Sequence, residues 1–269
     1  MSQAKTSDGA GVISLPKAGS ALRMVFTWFR QETLLLLREP VAIFFSLAFP
    51  MVIYFFIGAP YANEQIEPGV KFIDVMFPTL IGTVGANLLL MGMPVYFAEL
   101  RARGVDRRYR ALPLPGVVFA LAIIGAMLLL VASASALIIA VVGFAHGLRI
   151  EIISPQFIAL NLMLLAWLCA VGYFLGSLNV GSRTTQAISA ALFFIMFFGS
   201  GAAAPLEGLP AWLQTITEFN PLRHWFDLLT GVYTSAEIPE GTVVKALLVI
   251  PVAAAIGFLG LYLTKRSSN

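Results

Sequence analysis

The residues best suited to chemistry lie in one charged stretch between two long apolar runs. Glu99 and Arg103 are four residues apart there, as are Asp106 and Arg110, so each acid–base pair can stabilise one helical turn. Gly104 separates the two turns, and a pair of prolines ends the second. We predict a short bent helix that docks a partner protein, and its docking residues are Glu99, Arg101, Arg103, Gly104, Asp106, Arg107, Arg108, Arg110 and Pro113. The alternative is an arginine-rich loop whose positive charge only fixes the orientation of the chain.

The elements that position this stretch are six apolar runs, each about as long as a membrane-spanning helix. The 269 residues are 59% hydrophobic and 12% charged, whereas soluble domains carry about 25% charged residues. This composition excludes a soluble enzyme, a nucleic-acid-binding module and a disordered protein. Because the runs are continuous rather than alternating, we predict an all-α membrane protein with spans at 41–58, 73–97, 116–144, 155–178, 185–204 and 244–263.

Basic residues favour one side of these six spans. With the N-terminus in the cytoplasm, the segments on that side hold 13 of the 17 Lys and Arg residues. Cytoplasmic loops of membrane proteins carry such an excess. We therefore predict that both termini face the cytoplasm, with residues 1–21 as a flexible tail and 40–266 as one transmembrane domain in the cell membrane.

Two amphipathic stretches accompany the spans without being able to cross a bilayer. Residues 22–39 predict a helix in the cytoplasmic interface, with Arg23 and Arg30 on one face. The residues at helical spacing on its other, apolar face are Leu22, Val25, Phe26, Phe29, Thr33 and Leu36. Between the fifth and sixth spans, prolines divide the chain into two short amphipathic helices. The apolar stripe of the second helix consists of Leu222, Trp225, Phe226 and Leu229. These form either an interfacial belt of Trp and Phe or a re-entrant pair that gates an exit path. The residues assigned to this outer gate are Pro205, Leu206, Pro210, Trp212, Asn220 and Pro221.

The interiors of the spans offer no groups for ion coupling or catalysis. Asp, Glu, Lys, Arg and His are absent from them except near their ends, which disfavours proton or sodium coupling. The sequence has no HExxH or GxSxG motif, and its single cysteine excludes a CxxC motif. It also lacks the GxxxxGK[ST] phosphate-binding loop, so the chain does not hydrolyse ATP by that route. We predict no catalytic residue, metal site or bound cofactor, and an energy source on a partner.

Two segments resemble the ABC type-2 transporter permeases. The cytoplasmic segment of that family runs Glu-Arg-x-x-Gly-Thr-x-Glu-Arg-x-x-x-x-Pro. Glu99, Gly104, Arg108 and Pro113 fall at or near matching positions, whereas residues 100, 106 and 107 depart from it. The outer segment matches more specifically and reads Pro205-Leu206-Glu-Gly-Leu-Pro210-Ala-Trp212-Leu213-Gln214, then Asn220-Pro221. With the six spans, the resemblance covers residues 22–266.

The resemblance implies a half-transporter that works as a homodimer. It also implies two cytoplasmic P-loop ATPase subunits, which hold ATP and Mg²⁺. Closure of the ATPases would move the helix from Glu99 to Pro113. The drug- and antibiotic-export branch fits better than the polysaccharide and teichoic-acid exporters, since residues 22–40 lack the pattern of the latter. This implies export of a lipophilic or amphipathic molecule. A channel or a membrane scaffold is the alternative from another class.

In such dimers the second and fifth spans of the two copies face each other around the substrate path. Small residues and prolines in the second span allow close helix contact, and Asn87 needs a partner at depth. Phe and Met side chains in the fifth span suit an apolar cargo because they carry no fixed charge. The alternatives are aromatic rings that face lipid and an Asn87 that only bonds a neighbouring helix. The predicted path residues are Thr83, Asn87, Met91, Phe193, Phe194, Phe197 and Phe198.

Overall fold

Helices make up most of the fold. A computed structural model describes residues 18–38, 48–104, 116–203, 206–236, 238 and 241–266. Within these ranges the helices are α1 (Ala18–Leu37), α2 (Ala48–Tyr61), α3 (Phe72–Ala102), α4 (Gly116–His146), α5 (Pro155–Ser177), α6 (Ser182–Phe198), α7 (Ala211–Thr217), α8 (Pro221–Thr234) and α9 (Thr242–Arg266). Short 3-10 turns lie at Ile150–Ile153 and Leu206–Gly208.

Three helices of the described ranges, α3, α4 and α5, are long and apolar enough to cross a membrane. They coincide with the second, third and fourth predicted spans. Helix α3 continues to Ala102, beyond the predicted end at 97, because no glycine or proline lies between residue 97 and Gly104. Helix α6 ends at Phe198, six residues before the predicted end, because glycines follow it and Gly201 adopts a φ of +82°. The count of six spans stays a prediction.

A small antiparallel hairpin joins α2 to α3, where the sequence analysis expects no strand. Its strands are β1 (Gln65–Glu67) and β2 (Val70–Lys71), with Gln65 opposite Lys71. Gly69 turns the chain with a φ of +82°, a conformation that glycine adopts at low cost. Strands of two and three mostly exposed residues are too short to give an alternating pattern, so hydropathy could not reveal them.

Helix α1 packs along α4, with Phe29 against the α4 surface. Arg23 and Arg30 are exposed, on a different face from the buried Leu36. Phe26, predicted for the apolar face, is instead 65% exposed, while the acidic Glu32 is buried. The buried face is therefore rotated from the predicted one. The place of α1 in the cytoplasmic interface stays a prediction.

Helix α8 enters the bundle and packs against α3. The predicted apolar stripe of Leu222, Trp225, Phe226 and Leu229 is confirmed, since all four side chains are buried. Gly82 of α3 permits this approach, because a Cβ atom at that position would lie 2.3 Å from the Phe226 ring. The close contact between α3 and α8 therefore depends on the absence of a side chain at Gly82.

Helices α3 and α5 touch backbone to backbone beside a widened turn. Residues Asn87–Gly92 of α3 form a π-helical turn, a feature that occurs frequently at functional sites. Gly172 of α5 faces this turn so closely that a Cβ atom would lie 2.0 Å from the Leu89 carbonyl oxygen. The path residues Asn87 and Met91 both lie in this turn.

Candidate functional site

The charged end of α3 is fastened to the end of α5 by Arg101. Its guanidinium donates to the carbonyl oxygens of Gly176 and Leu178, at 2.9 Å for Leu178. The last carbonyls of a helix have no partner within that helix, and a basic side chain commonly satisfies them. A displacement of the α3 end is therefore transmitted to α5 as well.

The next turn presents charge to solvent. Arg103 donates to the Glu99 carboxylate at 3.3 Å, so the predicted pair is confirmed, and both side chains are exposed. Helix α3 stops just before Gly104, which has a φ of +66° and donates its amide N–H to the Arg101 carbonyl oxygen at 2.9 Å. The second turn predicted after Gly104 lies outside the described part of the chain. The other docking residues lie outside the described part of the chain; they are Asp106, Arg107, Arg108, Arg110 and Pro113.

A buried acid joins α1 to the same half of α3. The Tyr96 hydroxyl donates to the Glu32 carboxylate at 2.6 Å, and Glu32 is only 1% exposed. Burial raises the pKa of Glu32, and the hydrogen bond from Tyr96 opposes that rise. The sequence analysis missed this contact. Its signal was an acidic residue between apolar positions of an amphipathic helix.

At the opposite end of the bundle, Asn220 joins α6 to α8. Its amide nitrogen donates to the Met196 carbonyl oxygen at 2.6 Å, and its amide oxygen accepts from the Leu222 backbone N–H at 3.0 Å. Pro221 follows as the first residue of α8, where its missing N–H costs nothing. The Asn-Pro pair therefore both starts α8 and holds it against the end of α6.

The two short helices of the outer segment behave differently. Pro210 precedes α7, and Trp212 and Ile216 on this helix are exposed, Trp212 by 66%, as is Phe219 just beyond its end. Leu206 lies half-buried in the preceding 3-10 turn, and residue 205 lies outside the described ranges. Exposed aromatics on α7 fit an interfacial belt, whereas the burial of α8 fits a re-entrant helix. Both alternatives stay predictions.

Arg149 gathers the segments at this end of the bundle. Its guanidinium lies 3.7 Å from the carboxylates of Asp74 and Glu151 and donates to the carbonyl oxygens of Gly69 and Thr234 at 3.2 and 3.4 Å. One side chain thereby ties the hairpin, the start of α3 and the end of α8. The sequence analysis missed this cluster because its members come from four separate segments.

The predicted path residues of α6 face two directions. Phe193 and Phe197 are buried and pack edge to face on Phe49 of α2, with ring centroids 5.7 and 5.5 Å apart from it. Phe194 and Phe198 are exposed, and Phe198 lines a cavity. On α3, Thr83 is buried, and Asn87 and Met91 are half-buried. The structure does not gather these seven side chains around one space.

The cavity that Phe198 lines has a volume of about 1150 Å³ and lies between α5, α6, α9 and the outer segment. Most of its wall is apolar, with Trp167, Leu192, Leu248, Val252 and Ile256 among the lining residues. The residues Glu218, His224 and Lys245 bring polar groups to its end beside the outer segment. An apolar chamber with a polar end matches a ligand that has an apolar body and a polar head.

His224 is the most enclosed of these polar residues. It is buried, and its Nε2 donates to the Glu218 carbonyl oxygen at 2.8 Å. Burial is the largest cause that lowers the pKa of His224, while the bond to Glu218 opposes it and the charges of Lys245 and Arg223 lower it further. The ring is therefore neutral near pH 7.

Long apolar helices, an exposed charged turn at one end of the bundle and an apolar cavity beside the other end are typical of a membrane transport component. A family model described as ABC-2 type transporter matches residues 23–234, and the chain belongs to this family of membrane permeases of ABC transporters. It is also 34% identical over 73 residues to the "Probable multidrug ABC transporter permease YbhR" of Escherichia coli K12, and equally to that of the O157:H7 strain. The matched stretch covers 26% of this chain and 20% of either relative.

Proposed function

We propose that the chain is the permease subunit of an ATP-driven exporter that moves a lipophilic or amphipathic molecule out of the cytoplasm or the inner leaflet. Two copies, each with six spans and cytoplasmic termini in the cell membrane, assemble with two P-loop ATPase subunits. ATP and Mg²⁺ are held on those subunits, where hydrolysis supplies the energy. The relatives with "multidrug" in their name and the apolar cavity support this class of substrate.

The observation that carries the proposal is the bond from Arg101 to the end of α5. A force applied to the exposed turn at Glu99 and Arg103 acts on α3 and, through Arg101, on α5. Helix α5 contributes Trp167 and Leu175 to the cavity wall. An ATPase stroke received on the charged segment therefore changes the shape of the cavity.

The triple variant Arg107→Ala, Arg108→Ala, Arg110→Ala tests the docking segment. We expect loss of transport and of substrate-stimulated ATP turnover, with the protein still folded and still in the membrane. The matched control removes three exposed arginines, two from α1 and one directly after it, as Arg23→Ala, Arg30→Ala, Arg38→Ala. This control weakens the orientation signal on the same predicted side equally. Unchanged transport and ATP turnover in the first variant would overturn the docking role, and accessible-cysteine labelling checks the topology of both.

A further inference from the structure

The cavity between α5, α6 and α9 lies within one copy of the chain, away from the buried Phe193 and Phe197. Its volume of about 1150 Å³ exceeds the roughly 300–1,000 Å³ of most pockets for drug-sized ligands. It therefore has room for a long apolar body.

Along α9 the cavity wall runs from Lys245 to Ile256, about 16 Å of helix at the usual rise per residue. That length is about half of a hydrocarbon core of about 30 Å. Leu248 and Val252 between these ends are 61% and 56% exposed, so their side chains are available to a guest. The dimensions suit an aliphatic chain that lies parallel to the helices.

Two charged side chains, Lys245 and Glu218, line the place where this wall meets the outer segment. The Lys245 ammonium forms no ion pair among the described residues, whereas Arg223 lies 3.9 Å from the Asp227 carboxylate and donates to Thr217. Among the charges that act on the pKa of His224, that of Lys245 has the largest effect. A negatively charged head is the complementary partner at this end.

We propose that this cavity binds an amphiphile with an anionic head, the head at Lys245 and the apolar body along Leu248, Val252 and Ile256. This inference rests on the proposed function because it takes the occupant to be the exported cargo. It locates a binding site inside a single copy rather than between copies. Cargo of this class crosses with its head toward the outer segment and leaves past the exposed α7.

Quenching of Trp167 by 9,10-dibromostearate tests the binding site, since this side chain lines the cavity. The chain carries Trp28→Phe and Trp212→Phe and is held in nanodiscs of unbrominated phosphatidylcholine. A second chain that also carries Trp167→Phe gives the signal of the remaining, fully buried Trp225, which is subtracted. We expect saturable quenching by the acid and several-fold weaker quenching by its methyl ester. Quenching that is not saturable, or equal for acid and ester, would overturn the proposal.

Two pairs of matched variants identify the side chains that contact the head and the apolar body of the amphiphile. Lys245→Gln should weaken acid binding about tenfold through loss of a charge-assisted contact, whereas Lys71→Gln, exposed on the hairpin, should not. Val252→Phe should reduce binding by filling the cavity, whereas Leu259→Phe, equally exposed elsewhere on α9, should not. If the two variants of either pair bound the acid equally well, the proposed position of the head or of the apolar body would be contradicted.

Two further results would assign the cavity to another occupant. In the first, the disc contains a brominated phosphatidylglycerol that quenches Trp167. If dibromostearate does not displace this lipid and the quenching stays undiminished, the cavity holds a resident lipid. Disulfide formation between copies through Val252→Cys would show that this wall is a contact between copies. The proposed function is tested by a different result: it fails if no ATPase subunit copurifies with the chain. That outcome does not affect the quenching assay.

Discussion

At the scale of single residues, Arg101 and Arg103 look equivalent in sequence but differ in the structure. Arg101 satisfies two carbonyls at the end of α5, whereas Arg103 forms an exposed pair with Glu99. Both were predicted to dock the ATPase, and the structure assigns Arg101 a bond within the bundle. The sequence could not show this because Gly176 and Leu178 are more than seventy residues away along the chain.

We expect Arg101→Ala to destabilise the protein by about 2 kcal/mol, as for loss of a charged hydrogen-bond donor. Arg103→Ala should change stability by less than about 1 kcal/mol, as for an exposed ion pair. The unfolding midpoint in mixed micelles measures both. Equal effects of the two substitutions would show that the bond to α5 contributes nothing.

The Asn220 side chain makes two hydrogen bonds, and substitutions can separate their contributions to stability. Asn220→Ala loses the bond to the Met196 carbonyl and the cap on Leu222, so we expect a cost of about 2 kcal/mol or more. Asn220→Ser keeps an acceptor for the cap and should recover about 1 kcal/mol. The same unfolding assay measures this series, and a serine variant no better than alanine would place the whole effect in the bond to Met196.

The lowered pKa of His224 predicts that the stability of the protein depends on pH. Its pKa in the fold lies below the unfolded value of about 6.5, so the unfolded chain binds the proton more readily. Its contribution is therefore present above pH 6.5 and is lost as the pH falls through the lowered pKa. We expect wild type to lose stability between pH 7.5 and 5, relative to His224→Gln, which keeps a donor for the Glu218 carbonyl. Parallel pH profiles of the two proteins would contradict this.

At the scale of elements, periodicity predicted helices well and contacts between them poorly. The apolar runs placed α3, α4 and α5 to within a few residues, and the stripe on α8 was right in all four positions. The face of α1 was misjudged at Phe26 and Glu32, because Tyr96 makes burial of an acid possible. Long-range partners of this kind leave no trace in local spacing.

The approach of α8 to α3 depends on Gly82. Gly82→Ala should destabilise the protein by about 1–3 kcal/mol, because the new methyl group would overlap the Phe226 ring. Adding Phe226→Leu should relieve the overlap, so the double variant should be more stable than the sum of the single effects predicts.

Gly92→Ala is the matched control on the same helix. A Cβ atom there would meet nothing closer than 3.9 Å, so we expect no loss of stability. Additive effects of Gly82→Ala and Phe226→Leu, measured by unfolding in mixed micelles, would contradict the packing of α8 on α3.

At the scale of the whole molecule, one connected route joins the charged end of α3 to the cavity. The exposed turn at Glu99 receives force, Arg101 passes it to α5, and α5 forms part of the cavity wall. The motifs at both ends of this route could be identified in the sequence. The cavity could not, because its lining comes from three long helices and the outer segment.

The central claim is that a separate P-loop ATPase drives this permease. The direct measurement is affinity purification of the tagged chain from its native membrane in mild detergent, with mass spectrometry and an assay of ATP turnover. We predict a stoichiometric P-loop ATPase and turnover above background, and the Arg107, Arg108 and Arg110 triple alanine variant should reduce its recovery. A clean preparation without an ATPase would contradict the account and favour a channel or a scaffold.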